Sequence, residues 1–110
     1  MRAEEFDRLP TRFADGYLEL SSHLVDRSQQ RNIPMSLILQ TLKKLERQRS
    51  VDLIRMPFIT FVVKTHGVEL GMSKQKDKNG RTVYVVSTVH NKLRTGEDED
   101  VIYLEAKEPQ

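Results

Sequence analysis

The chain contains no cysteine. That single absence excludes a disulfide scaffold, a thiol nucleophile, a zinc finger and an iron–sulfur site. Tryptophan is absent too. No apolar run approaches the roughly 18 residues that a membrane span requires. The opening Met1–Asp7 stretch is charged and lacks the apolar segment of a secretory signal. These features predict a cytoplasmic protein with no membrane partner. The three histidines, His23, His66 and His90, form no pair with metal-binding spacing. There is no glycine-rich phosphate loop, no GxSxG elbow and no prominent carboxylate pair. The expectation is therefore no metal and no cofactor. The acidic residues gather at the two ends, which argues against a two-metal nuclease, since that chemistry needs several converging carboxylates.

What is present fits one compact domain of 110 residues, 37% hydrophobic and 31% charged. The net charge of +2 hides a strong segregation. Residues 21–63 hold seven basic and three acidic groups, and residues 64–94 hold seven basic and two acidic. Residues 95–110 hold one basic and six acidic, with Glu97-Asp98-Glu99-Asp100 in one run. A basic block between acidic ends suits a polyanionic partner, because neutralising phosphates releases condensed counterions. Solvated loop lysines are the plain alternative.

The first half reads as helical. Residues 2–8 suit a short helix stopped by Pro10. Ser21 and Ser22 are good N-caps for a helix from about His23 to Arg31. Asn32-Ile33-Pro34 breaks it, and Pro34 suits the first turn of a second helix reaching about Gln48. The stripe Met35, Ile38, Leu42 and Leu45, widened by Leu39, marks its buried face, with Lys43, Lys44 and Arg47 outside. The second half reads as sheet. Val51–Arg55 is β-prone, and Phe58–Thr65 is rich in β-branched and aromatic residues. His66-Gly67 makes a turn into Val68–Met72. A basic loop, Ser73–Gly80, closes on the hairpin signal Asn79-Gly80 and leads into Arg81–Val89. Val101–Ala106 is the last candidate strand. The pattern predicts an α+β domain with helices on one face of a four- to five-stranded antiparallel sheet.

The most informative constellation lies on the first helix. His23, Arg27 and Arg31 stand at i, i+4 and i+8, a polar stripe that drifts by about 80° over two turns. Like charges four residues apart repel, so the stripe makes sense beneath an anion. Two guanidiniums grip phosphate oxygens while an imidazole moves a proton. Equally, His23 is a first-turn residue and the arginines are solvated or paired with Asp26. Pro34–Ile54 followed by the basic hairpin also reads as a winged-helix recognition helix and wing, a DNA-binding module.

The string Ser21, His23, Leu24, Asp26, Arg27, Gln30, Arg31 and Ile33 resembles the helix motif of the RegB-type phage messenger-RNA endoribonucleases. These belong with the metal-independent ribonucleases related to RelE, YoeB and the colicin-type tRNase. The likeness continues more loosely through Leu70-Gly71, a basic loop, a β-strand and Leu93. It implies a single RelE/YoeB-like ribonuclease domain over residues 1–110 that cuts single-stranded RNA without metal. It further implies action at GGAG-containing ribosome-binding sequences of phage messages in the host cytoplasm, as a monomer helped by a small-subunit ribosomal protein or the ribosome. His23 becomes catalytic and Arg27 a ligand of the phosphate or transition state. Lys43 stands where the family has a second histidine, and the region before His23 is shorter. Lys43 is a further charge-stabilising cation but a poor general acid at neutral pH unless burial lowers its pKa, so the missing proton-transfer role falls to His90 at the end of the longest strand, or next to His66, which is also readable as a plain turn residue. Arg31, Lys64, Lys74, Lys76, Lys78, Arg81, Lys92 and Arg94 are the expected RNA-binding set, with Tyr84 or Phe61 available to stack bases unless the core claims them. An inactive RNA-binding member of the same fold is the alternative to an enzyme.

Overall fold

The computed structural model describes residues 11–65, 67–90 and 100–104. The expected helix at 2–8 and the acidic run before Asp100 lie outside them. The order of elements is β1 (Thr11–Phe13), β2 (Gly16–Leu20), α1 (Ser22–Gln30), α2 (Met35–Arg55), β3 (Thr60–Thr65), β4 (Val68–Lys76), β5 (Thr82–His90) and β6 (Asp100–Tyr103). The strands form one sheet in the order β1-β2-β5-β4-β3-β6. The domain is thus α+β, but its sheet has six strands and is mixed: β2 runs parallel to β5 and β3 parallel to β6. That corrects the expected four- to five-stranded antiparallel sheet. None of the described helices is long and apolar enough to cross a membrane.

The pleat explains where the core sits. Phe61, Val63, Val68, Leu70, Met72, Tyr84, Val86 and Val89 are buried on one face of β3–β5. Cross-strand pairs such as Phe61↔Met72, Leu70↔Val89 and Met72↔Val86 share that face. Leu24 of α1 and Ile38, Leu42, Leu45 and Leu53 of α2 complete the same core, so both helices cover this face. Leu39, expected to widen the α2 stripe, is exposed.

Three elements differ from the sequence reading. Val51–Arg55 continues α2 rather than forming a strand. A non-helical residue, Arg49, bends the helix there, so that Leu53 is fully buried while Val51 and Ile54 face solvent. Tertiary burial of Leu53 outweighs the weak β preference of the stretch. The β1–β2 hairpin has no counterpart among the expected elements. Its turn carries Ala14 at φ +51, with the Ala14 amide donating to Glu46 Oε2 at 2.7 Å. Gly16 lets β2 approach β5 closely, since a β-carbon there would collide with the Thr82 carbonyl oxygen. Finally, β4 runs on to Lys76, which shortens the expected basic loop to a turn held by Asp77. Asp77 Oδ1 accepts from the amides of Asn79 and Arg81, both at 2.9 Å, and Gly80 takes φ +79.

Candidate nucleic-acid interface

The chain leaves β2 and enters α1 in a fixed position. The Ser21 amide donates to the Val86 carbonyl at 3.0 Å, and its hydroxyl donates to the Ser87 carbonyl at 3.4 Å. His23 therefore starts α1 beside the far half of β5. Leu24 and Ser28, one turn apart, are the buried positions of α1, and the helix packs on β5. His23 and Arg27 are exposed. Among the described residues their side chains make no hydrogen bond or ion pair.

Arg31 does not share their exposure. Each i+4 step rotates by about 40° on a 3.6-residue helix, so the stripe turns towards the sheet as it climbs. Arg31 lies seven residues after Leu24, on the inward side, and is half-buried at the helix C-cap. Its Nη1 atom is buried without a hydrogen-bond partner among the described residues. An open groove of about 460 Å³ lies on the other flank of α1, lined by Val25, Gln29, Asn32, Pro34 and Met35. It does not include His23 or Arg27.

Other expected residues are placed apart. His90 ends β5, one residue beyond the buried Val89, and the pleat turns it to the face opposite the helices. It pairs in register with Glu69, which pairs with Lys64. The sheet therefore lies between His23 and His90. Lys43 is exposed on α2, next to the buried Leu42. His66, Lys92 and Arg94 lie outside the described residues.

Two expected RNA-binding lysines are internal. Lys64 is buried and its Nζ lies 3.6 Å from Glu69 Oε1. Lys74 is buried and donates to the carbonyls of Leu53, Ile54 and Met56 at 2.8, 3.0 and 2.9 Å. It thereby caps the C-terminus of α2, where free carbonyls and the helix dipole favour a cation. Strand alternation explains both corrections: Lys74 falls in the helix-facing row of β4 with Leu70 and Met72, whereas Lys64 alternates with Phe61 and Val63 and lies on the opposite face beside Glu69. Phe61 and Tyr84 are fully buried, so neither offers a ring to a base. The Tyr84 hydroxyl lies 2.6 Å from Asp15 Oδ1 and 3.1 Å from the Leu53 carbonyl. Burial first, and Asp15 second, raise its pKa well above the ordinary value of 10.

Lys76, Lys78 and Arg81 remain exposed around the β4–β5 hairpin. Lys76 sits 5.3 Å from the Phe58 ring centroid. The guanidinium carbons of Arg81 and Arg12 sit 5.2 and 5.8 Å from the centroid of Tyr17. Arg12 and Tyr17 fall outside the expected set because the first twenty residues are net acidic. The hairpin signal Asp15-Gly16, followed by the alternating Tyr17-Leu18-Glu19-Leu20, was available to find them. Among the described residues no group of three or more His, Asp or Glu side chains is arranged to hold a metal ion. The chain matches no protein-family model, no characterised protein and no solved structure.

Proposed function

We propose that this domain is a metal-independent endoribonuclease acting on single-stranded messenger RNA. The observation that carries the reading is the pair His23 and Arg27: exposed, one helical turn apart, and engaged by no other side chain among the described residues. In the proposed reaction the 2′-hydroxyl attacks the adjacent phosphorus and the bond to the 5′-oxygen breaks, leaving a 2′,3′-cyclic phosphate. His23 takes the 2′-hydroxyl proton. Arg27 stabilises the charge that builds on the phosphorane oxygens. The departing 5′-oxygen takes a proton from solvent, and Lys43, exposed on α2, adds positive charge to the surface. The RegB likeness of the α1 motif supports messages carrying GGAG sequences as substrate.

A non-catalytic RNA-binding domain of the same fold is the second reading. The position of His90 across the sheet from His23 favours it, because these two histidines cannot flank one phosphate. The winged-helix reading loses its footing, since β4 and β5 are inner strands of a six-stranded sheet rather than a projecting wing.

The test is cleavage of a labelled GGAG-containing messenger in EDTA, with and without a small-subunit ribosomal protein. The expected result is cyclic-phosphate ends on RNA and an intact DNA of the same sequence, which lacks the attacking hydroxyl. His23→Ala should slow cleavage by about 10²–10⁴-fold. Wild-type rates in His23→Ala, or cleavage only with added magnesium, overturn the enzyme. RNA binding without cleavage supports the second reading.

A further inference from the structure

The face of the sheet turned away from the helices carries a cluster that the α1 site does not use. Register places Arg12 opposite Tyr17, Tyr17 beside Val83, and Val83 beside Gln75, so these four share one row. Arg12 and Gln75 are exposed and Tyr17 is half-exposed. Arg81 reaches the same ring from the hairpin, its Nε held 2.8 Å from Asp77 Oδ2. Two guanidiniums are thereby fixed around one phenol ring, no more than about 11 Å apart. Asp77 offsets one of them. Arg12 has no carboxylate at ion-pair distance among the described residues, and Glu19 is the acidic group in the next row of that face.

An exposed cation–ring contact is too weak to offset the ordering of two long side chains. The arrangement becomes favourable when phosphates of one strand engage the two cations, because planar guanidiniums bind phosphate oxygens through paired donors. We propose that Arg12, Tyr17 and Arg81 form a phosphodiester subsite for single-stranded RNA. Tyr17 is the spacer that fixes the two cations. The choice of RNA rests on the reading proposed above, whereas the anion site rests on the cluster itself. The two sites lie on opposite faces, so a strand that touches both passes round the β1 edge.

The test uses a fluorescein-labelled 2′-O-methyl oligoribonucleotide, which binds but cannot be cut, followed by fluorescence polarisation across a salt series. Arg12→Gln and Arg81→Gln should each weaken binding about 10-fold and lower the salt slope by about 0.7 per lost phosphate contact. Arg55→Gln, a control on the exposed end of α2, should be neutral. Wild-type affinity and slope in Arg12→Gln overturn the subsite. So does an equal loss in Arg55→Gln, because charge alone would then explain the binding. Cleavage of natural RNA separates the readings. Arginine-dependent binding with no cutting keeps the subsite and removes the enzyme, while cutting that is indifferent to Arg12 and Arg81 does the reverse. A wild-type protein that binds no RNA overturns both.

Discussion

Lys74 shows how one side chain can carry a charge without offering it to a partner. Its ammonium makes three hydrogen bonds to the last carbonyls of α2 and lies 5.7 Å from the Tyr84 ring centroid. Lys74→Met keeps the stem and removes the donor, leaving three carbonyls without that partner in a closed environment. The expected cost is about 3 kcal/mol, read as a lower urea midpoint with an unchanged slope. Lys76→Met, two residues along the same strand and exposed, should change stability by less than about 0.5 kcal/mol. The contrast between these two lysines was not legible in the sequence. Both stand in a run of alternating lysines and point to the same face of β4, and only the reach of the α2 C-terminus over that face decides which of them is covered.

At the scale of elements, the β4–β5 hairpin rests on Asp77. The backbone amide of Arg81 is the largest influence that lowers the Asp77 pKa below its ordinary value of 3.8, and the Arg81 guanidinium adds to it. A carboxylate depressed in the folded state contributes stability above its unfolded value and loses it as pH falls through the folded one. The turn should therefore hold through the ordinary carboxylate range and loosen only in stronger acid. Amide shifts of Asn79 and Arg81 in an NMR titration would report this, and Asp77→Asn should abolish the transition. The hairpin signal Asn79-Gly80 made this turn legible, as caps and apolar spacing did for α1 and the first half of α2. The end of α2 was not, because Val51, Ile54 and their neighbours fit strand and helix equally well until the burial of Leu53 decides. The α1 stripe was legible as spacing, yet its drift buries part of Arg31, and only the pleat of β5 reveals that His90 faces away. Sequence spacing gives distances along an element; it does not give the side of a sheet.

Across the whole molecule, Tyr84 joins the β1–β2 turn through Asp15, the end of α2 through the Leu53 carbonyl, and the sheet through its own strand. Its ring also meets Phe13 edge-on, with centroids 5.4 Å apart. A phenol whose pKa is raised on folding costs nothing below the ordinary value near 10 and destabilises the fold as pH climbs past it. Wild-type stability should therefore fall more steeply than that of Tyr84→Phe between about pH 9 and 11, measured by thermal unfolding at each pH. The same geometry orders assembly. β2 lies far ahead of β5 in the chain, yet β5 is the strand that flanks it on the inner side of the sheet. A chain shortened before Thr82 has nowhere to seat the β1–β2 hairpin, so the sheet closes only once β5 is present.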